Sequence, residues 1–249
     1  MPPPRSLRPV GVALVDKPAG PSSFAIVAAL RRRTRARTGH AGTLDPFATG
    51  LLLLLSCAAT RLAPCFVGLD KRYVTDVDLT STTSTGDPEG APLEQHAAPA
   101  ERALEAALER LRGEVELPIP AASAVKIGGE RAYKLARRGV VVEMPVRRSL
   151  VHSLDVITYT GESVRLALHV SSGTYVRSIA HALGGHCTTL RRTTVGPFDV
   201  EDSADVAHAV FLPASEALDR LPAEALERVP DAVRAGVLAL DDPSGGAAA

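Results

Sequence analysis

A loop rich in glycine and proline that runs into five leucines constrains this chain more than any other segment. Residues 39–50 contain three glycines and Pro46, and Leu51–Leu55 follow directly. Glycine is needed where a backbone turns with φ > 0 or is approached closely, which indicates a loop of defined shape. The leucine run is short enough to be a buried strand or the start of a buried helix.

Asp45 is the carboxylate of this loop, and it comes five residues after His40. A carboxylate attached to a buried element is held rigidly, as a nucleophile must be. The alternative is structural, with Asp45 capping the N-terminus of a helix whose first residue is Pro46. The loop by itself leaves both interpretations open.

The bulk properties are those of a globular protein. The 249 residues predict one large domain with a small appendage, and the 45% hydrophobic content is enough for a sizeable core. No apolar stretch reaches the roughly 18–20 residues of a membrane span, and Met1–Arg5 lacks an apolar signal region. We therefore expect a cytoplasmic protein without membrane contact. Cysteines 57, 65 and 187 have no metal spacing and are expected to be buried thiols.

Charge is distributed unevenly, although the formal net charge is zero. From residue 201 onwards, three arginines face ten acidic residues, whereas the first 200 residues have a net charge of +7. Five arginines fall between Arg31 and Arg37, directly before His40. They form either the solvated C-terminus of a helix or a phosphate-binding patch, and we expect Arg31, Arg33 and Arg35 to bind phosphates.

Local patterns predict an α+β fold with a mixed, mostly antiparallel sheet flanked by helices and loops. The predicted strands lie at 9–15, 71–79, 148–158 and 163–170, and the predicted helices at about 22–35, 100–112, 130–138 and 175–183. The helix at 100–112 carries Leu104, Leu108 and Leu111 on one stripe. Residues 80–99 have loop composition, and residues 241–249 are expected to be disordered.

No motif indicates a nucleotide cofactor, a metal or an activated serine. The chain contains neither a P-loop nor a dinucleotide-binding glycine pattern, and no serine lies in a G-x-S-x-G elbow. The seven histidines lack metal-ligand spacing. Chemistry without a cofactor or metal is therefore expected.

Several polar segments occur along the chain in a distinctive order. The first three are Asp16–Gly20 with Ser22 and Ser23, Gly39–Gly50, and Lys71–Tyr73. The fourth is Ser123–Lys126 together with Gly129, Tyr133, Leu135–Arg137 and Gly139. The last two are Ser172–Ser178 and Leu190–Arg192. Each segment alone is weak, but the ordered set resembles the bacterial TruB-type tRNA pseudouridine synthases. The resemblance covers the chain from about residue 10 to about residue 200.

This resemblance implies an isomerase that converts uridine 55 in the T-loop of tRNA to pseudouridine. Such enzymes break the N-glycosidic bond, turn the uracil and rejoin it through carbon 5, with no cofactor or metal. Residues 1–200 would be the catalytic domain, with a pseudouridine-synthase fold. Residues 201–249 would be a short acidic segment, a truncated or minimal form of the RNA-binding PUA domain that many members append. The expected partner is the tRNA T-arm, and the protein is expected to be a monomer.

The resemblance also assigns catalytic roles. Asp45 matches the nucleophilic aspartate, a carboxylate suited to forming a covalent intermediate with a sugar or a base. Tyr73 matches the tyrosine that packs on the target base, because a flipped base needs a flat apolar wall. Arg177 matches the arginine that pairs with the aspartate and keeps it ionised. Attack at carbon 1′ of the sugar and at carbon 6 of the base both stay open.

Five further residues are expected to bind the substrate. They are His40, Tyr175, Leu190, Lys17 and Lys126. His40 matches a histidine that meets RNA near the flipped nucleotide, and Leu190 would line the uracil pocket. Lys17 is also placed to shape the site from behind. Structural alternatives are loop capping for His40, core packing for Tyr175 and Leu190, and buttressing of the fold for Lys126.

The chain departs from the family pattern at four positions. Thr80 stands where glycine is usual, Ser84 and Ala25 where aspartate is usual, and Ala122 where an aromatic residue is usual. None of the four is a proposed catalytic residue. The alternatives to the uridine-55 enzyme are a tRNA-folding chaperone with weak catalysis and a pseudouridine synthase acting on another RNA.

Overall fold

The computed structural model describes residues 9–123, 125–132, 135, 138, 140 and 143–241. The chain forms two compact units. The first consists of Met1–Lys71 and Arg191–Ala249, and the second of Arg72–Leu190. Five of the motif residues lie outside the described residues, namely Ala124, Tyr133, Ala136, Arg137 and Gly139, as do both chain ends.

Strands and helices alternate irregularly along the chain. The strands are β1 (Gly11–Lys17), β2 (Thr38–His40), β3 (Thr49–Ser56), β4 (Lys71–Asp78), β5 (Ser81–Thr83), β6 (Pro92–Gln95), β7 (Gly113–Pro118), β8 (Lys126–Ile127), β9 (Glu130–Arg131), β10 (Val146–Tyr159), β11 (Ser163–Val170), β12 (His186–Val195), β13 (Phe198–Asp199) and β14 (Phe211–Pro213). The helices are α1 (Ser23–Thr34), α2 (Ala63–Val67), α3 (Glu101–Arg110), α4 (Val176–Ala182), α5 (Ala214–Asp219), α6 (Ala223–Leu226) and α7 (Asp231–Asp241).

The leucine run forms the central strand of the first unit. β3 pairs antiparallel with β1 and β2, and in parallel with the end of β12 at Arg192. Leu51–Leu55 are completely buried. Because side chains alternate along a strand, the odd-numbered leucines pack in the cluster of Phe66 and Phe198, and the even-numbered ones pack with Ile26 and Leu30 of α1. Burial of both faces explains a continuous apolar run.

Helix α1 begins and ends at recognisable capping residues. The Ser22 side chain accepts a hydrogen bond from the Ala25 N–H, which confirms the predicted start. The helix ends at Arg35, whose backbone is left-handed (φ 53°) and whose N–H donates to the Arg31 carbonyl. Glycine is the usual residue at such an end, so arginine occupies this position at an energetic cost.

The C-terminal segment contributes to the core of the first unit. β14 pairs antiparallel with β1, and Leu212 lies opposite Val12. Apolar residues of α5, α6 and α7, including Leu218 and Val237, join the same core cluster as Phe66. The described part of the acidic segment is therefore folded against β1 and β3.

The second unit contains antiparallel strands with helices α3 and α4. Its strands follow the order β12–β4–β11–β10–β7, to which β12 contributes residues 186–190. β10 pairs antiparallel with β7 through its first half and with β11 through its second. Leu104, Leu108 and Leu111 are buried, as the helical stripe predicts.

The fold is α+β with a largely antiparallel sheet, as expected. One local prediction is wrong: residues 80–99 are not all loop, because β5 and β6 pair with each other there. The predicted helix at 130–138 is also wrong at its start, because Glu130 and Arg131 form β9, which pairs with β8. Residues 133, 134, 136 and 137 lie outside the described residues. In the described part of the chain, no helix is long and apolar enough to cross a membrane.

Replacing Gly50 with alanine should destabilise the first unit. Gly50 has φ 104°, and an added Cβ would lie 2.2 Å from the backbone carbonyl oxygen of Arg192. Because both atoms belong to paired strands, neither can move cheaply, and we expect a loss of at least about 2 kcal/mol in the free energy of unfolding. Urea denaturation followed by circular dichroism measures this loss.

Gly39→Ala is the matched control, since a Cβ at Gly39 meets no atom within 4 Å and its backbone is ordinary. Equal stability of the two variants would contradict the close approach of β12 to Gly50.

Candidate active site

The loop that carries Asp45 contains no helix. Residues 41–48, hereafter the Asp45 loop, connect β2 to β3, and the Ala48 N–H donates to the Asp45 carbonyl at 3.2 Å. The helix-capping interpretation of Asp45 is therefore wrong. Asp45 itself is half-buried. An irregular loop leaves backbone carbonyl groups that need donors from other elements.

Lys17 supplies donors to the second half of this loop. Its side chain is fully buried at the end of β1, and Nζ donates to the carbonyl oxygens of Pro46 at 3.1 Å and Ala48 at 2.6 Å. It also donates to the Pro18 carbonyl at 2.8 Å. The prediction that Lys17 binds substrate is corrected, because its amine is buried against the backbone. Lys17 holds the backbone that follows Asp45.

Ser23 connects the loop to helix α1. The Ser23 hydroxyl donates to the Leu44 carbonyl at 2.8 Å and lies 2.8 Å from the Leu44 N–H. The residue immediately before Asp45 is thus fixed to the first turn of a helix.

The two arginines of the Leu190–Arg192 segment have different surroundings. Arg191 is partly exposed and pairs with Asp16 through two hydrogen bonds of 3.1 and 2.8 Å. Arg192 is only 1% exposed, and it donates to the carbonyl oxygens of Leu51 at 2.7 Å, Gly42 at 3.2 Å and Thr43 at 3.4 Å. Adjacent residues of a strand point to opposite faces, which separates the two roles.

His40, the last residue of β2, is half-buried. Its Nδ1 is buried and makes no hydrogen bond. Burial lowers the pKa of His40, and the positive charge of Arg192 lowers it further. The imidazole is therefore held in its neutral form, which suits packing against a base rather than a charge interaction with phosphate.

Lys71, at the start of β4, is a buried cation that sequence reasoning assigned no role. Its Nζ donates to the carbonyls of Val67 (2.7 Å) and Leu69. Burial lowers the pKa of Lys71 to about 7, with a further contribution from Arg192. Tyr73, two residues later on the same face of β4, is 9% exposed.

Arg177 is the central polar residue of the second unit. It lies in the first turn of α4 and is 2% exposed. Its guanidinium donates to the carbonyl oxygens of Thr85 at 2.7 Å and Ala122 at 2.9 Å, and lies 3.3 Å from the Asp87 carboxylate. Asp87 in turn accepts from the Thr85 hydroxyl at 2.5 Å.

The other predicted binding residues are in varied surroundings. Leu190 is buried, and Tyr175 is half-buried at the N-cap position of α4. Lys126 is exposed on β8. Lys17, His40 and Asp45 belong to the first unit. The second unit contains Tyr73, Lys126, Tyr175, Arg177 and Leu190.

Comparison with known proteins identifies the family. The model of the TruB family pseudouridylate synthase N-terminal domain matches residues 31–176. The chain belongs to the TruB family. A tRNA pseudouridine synthase B of Xanthomonas campestris pv. campestris strain B100 is 44% identical over 203 residues, covering 78% of this chain and 66% of the relative. This chain therefore spans slightly less than two thirds of that relative's length.

Other relatives and solved structures agree. A tRNA pseudouridine synthase B of Aromatoleum aromaticum is 40% identical over 92% of this chain and 79% of its own length. The crystal structure of a Cbf5–Nop10–Gar1 complex matches 80% of this chain and 52% of that chain, with 27% identity and a TM-score of 0.61. The structure of an H/ACA RNP bound to a substrate RNA containing 2′-deoxyuridine matches 79% of this chain and 51% of that chain, with 25% identity and a TM-score of 0.57.

Three departures from the family pattern are accommodated within the second unit. The Thr80 hydroxyl and N–H both lie 2.6 Å from the Asp78 carboxylate, to which they donate. Ser84 accepts from the Ala91 N–H at 3.0 Å, which closes the loop that leads to Asp87. Ala122 binds Arg177 through its carbonyl oxygen, a contact that does not depend on its side chain.

Members of the arginine cluster differ in the hydrogen bonds of their side chains. Arg33 is exposed, and its guanidinium donates to the backbone carbonyls of residues 206, 207 and 209. Arg31 and Arg35 are exposed, and their side chains make no hydrogen bond or ion pair with the described residues. Because α1 begins beside Leu44 and rises about 1.5 Å per residue, Arg31 and Arg35 lie roughly 12 and 18 Å along the helix axis from that contact.

Sequence reasoning gave no role to Lys71, Asp87 or Arg192. Lys71 and Arg192 lie within the motifs Lys71–Tyr73 and Leu190–Arg192, and Asp87 follows three residues after Ser84, one of the positions that depart from the family pattern. Lys71 and Arg192 are charged residues at strand positions where the periodicity predicts an apolar side chain. This mismatch is the signal that could have identified them as buried cations.

The stability of the protein should rise with pH as Lys71 loses its proton. In the unfolded chain Lys71 holds its proton up to about its ordinary pKa of 10.5, whereas the folded protein releases it above about 7. Between these values the unfolded state binds more protons, so the free energy of unfolding increases with pH, by up to about 1.4 kcal/mol per unit. Urea denaturation at about pH 7, 8 and 9, with wild type and Lys71→Met, measures this contribution.

The stability difference between wild type and Lys71→Met should shift in favour of wild type as pH rises. Lys126→Met, at an exposed lysine, is the control for loss of a lysine side chain. Parallel pH profiles for wild type and Lys71→Met would show that Lys71 titrates normally.

Proposed function

We propose that this protein converts uridine 55 in the T-loop of tRNA to pseudouridine. Membership of the TruB family supports this function, together with 40–44% identity to proteins named tRNA pseudouridine synthase B. The observation that carries the proposal is the Asp45 loop, in which a half-buried carboxylate stands on a backbone held by buried Lys17, Ser23 and Arg192. Such rigidity suits a nucleophile.

In the proposed reaction, Asp45 attacks either carbon 1′ of the ribose or carbon 6 of the uracil. The bond between carbon 1′ and N1 breaks, the uracil turns, and a bond forms between carbon 1′ and carbon 5. The hydrogen on carbon 5 leaves as a proton, N1 gains one, and the carboxylate is released. The product is an isomer of the substrate, so the chemistry requires neither an oxidant nor a reductant.

Tyr73, Leu190 and Arg177 are proposed to complete the site. A uridine flipped out of the T-loop would stack on the ring of Tyr73, with Leu190 as a second apolar wall. Arg177 would keep Asp45 ionised. Its nearly complete burial and its position beside Asp87 and two carbonyl groups support a fixed guanidinium rather than a mobile surface cation.

RNA binding is proposed to involve His40, Tyr175 and Lys126 near the flipped nucleotide, and Arg31 and Arg35 farther away. The two arginines are exposed at the end of α1, roughly 12 and 18 Å along the helix axis from its contact with Leu44. Such a separation exceeds the reach of one nucleotide, so they would hold phosphates of the T-arm away from uridine 55. Binding should therefore weaken steeply with salt.

Asp45→Asn should abolish tritium release from a T-arm hairpin that carries 5-tritiated uridine at the target position. Formation of the bond to carbon 5 expels this hydrogen, so release reports isomerisation directly. Loss of the nucleophile should slow release by at least about 10³-fold, because the covalent step has no substitute.

Asp155→Asn is the control, since Asp155 is an exposed aspartate of β10 in the second unit. Normal release by Asp45→Asn would refute its role as nucleophile. Binding of the hairpin by wild type without any release would instead favour a chaperone, or an enzyme acting on another RNA.

Arg35→Gly should stabilise the protein and weaken its binding to RNA. Glycine relieves the left-handed backbone at φ 53°, which should add about 0.5–1 kcal/mol to the free energy of unfolding. Loss of one phosphate contact should reduce the slope of log K against log salt by about 0.9. Urea denaturation and fluorescence anisotropy with the T-arm hairpin measure the two effects.

Arg33→Gln is the contrasting variant. It removes the donors to the carbonyls of residues 206, 207 and 209, so it should lower stability and leave the salt slope unchanged. If Arg35→Gly bound RNA as wild type does at every salt concentration, Arg35 would have no part in RNA binding.

A further inference from the structure

Arg192 contacts the Asp45 loop before Asp45 and also contacts β3, the strand that follows the loop. Its NH1 and NH2 groups donate to the carbonyls of Thr43 and Gly42, which precede Asp45, and Nε donates to the carbonyl of Leu51, which follows the loop. One planar guanidinium therefore joins the first half of the loop to β3. Lysine could not reproduce this arrangement, because its donors radiate from a single atom.

The burial of Arg192 needs an explanation. Its side chain is 1% exposed, and within the described residues it forms no ion pair with a carboxylate. Desolvating a cation costs several kcal/mol unless polar groups compensate for it. Here the compensation comes from three carbonyl groups, two of which belong to the Asp45 loop. A methionine would fill similar space but would leave these carbonyls without their donor.

The strand that carries Arg192 is itself fixed. Arg192 lies opposite Gly50 in the parallel pair of β12 and β3, where the backbones approach so closely that Gly50 has no room for a Cβ. The Cα of Arg192 is thus tied to the strand that begins directly after the loop. A guanidinium on so rigid a support transmits that rigidity to the loop.

We propose that Arg192 is a positioning residue for the reaction, and that its contacts with the Gly42, Thr43 and Leu51 carbonyls set the place of the Asp45 carboxylate. This inference rests on the proposed function. Arg192 acts on the backbone before Asp45, and Lys17 acts on the carbonyls of Pro46 and Ala48 after it. The two residues therefore hold opposite halves of the loop.

Removal of Arg192 should also leave a signature at His40. The charge of Arg192 lowers the pKa of His40, and it also lowers the pKa of Lys71. Other charged groups that act on Lys71 are Asp70 and Arg228, whereas at His40 burial and Arg192 are the causes. Loss of the guanidinium should consequently raise the pKa of His40, a change that can be measured without any RNA.

Arg192→Met and Arg192→Lys, compared with wild type, test the inference. Single-turnover tritium release should fall by about 10²-fold for Arg192→Met, the effect expected from a displacement of about 1 Å, with little change in hairpin affinity. Arg192→Lys should restore the charge effect on His40 but only part of the rate, because lysine lacks the fork. NMR titration of His40 and amide hydrogen exchange of residues 42–48 provide readouts independent of activity.

Arg191→Met is the matched control, since Arg191 neighbours Arg192 but pairs with Asp16. It should keep the rate, the His40 titration and the exchange of the loop close to those of wild type. An unchanged rate in Arg192→Met, or a loss confined to hairpin affinity, would overturn the inference. If Arg192→Met did not fold, Arg192→Lys would decide: full activity would refute positioning, and a reduced rate with normal affinity would support it.

Failure of the proposed function gives a different result. If the proposed function is wrong, wild type itself releases no tritium. If only the inference is wrong, wild type releases tritium and Arg192→Lys does so at the same rate.

Discussion

The backbone carbonyl groups of the Asp45 loop need hydrogen-bond donors, and the first unit is arranged around supplying them. Two buried cations do so: Lys17 binds the carbonyls after Asp45, and Arg192 binds those before it and at the start of β3. Burying cations is costly, and it is tolerated here because a non-helical loop has no partners of its own. The core of leucines 51–55 then provides the rigid base from which the loop projects.

The second unit also contains a buried cation that supplies donors to backbone carbonyl groups. Arg177 is buried and satisfied by two carbonyl oxygens and the Asp87 carboxylate. In both units a guanidinium that could bind RNA phosphates elsewhere is instead committed to fixing a loop. Arg31 and Arg35 have the opposite character, because they are exposed and their side chains make no hydrogen bond or ion pair with the described residues. Burial thus separates Arg177 and Arg192, whose donors are committed to backbone carbonyls, from these two solvent-exposed arginines.

Much of the fold could be predicted because its signals are local. The capping by Ser22, the stripe of Leu104 and Leu108, and the alternation of β4 depend on neighbouring residues, and all three are confirmed. The helix proposed at Asp45 was wrong because the loop is stabilised by Lys17 and Arg192, distant in sequence, rather than by its own turn. Residues 80–99 form a short hairpin for a similar reason: the pairing of β5 with β6 spans a polar loop without periodicity.

The sequence by itself determined the family, the α+β class and the motifs to which the candidate site belongs, because ordered motifs and periodicity are properties of the chain. Only the tertiary structure decided which charged side chain of each motif turns inward. Arg191 faces Asp16 and Arg192 faces the Asp45 loop, although the two are adjacent. Side chains alternate along a strand, so this choice depends on the register between β12 and β3, which is fixed by strand pairing and not by local sequence.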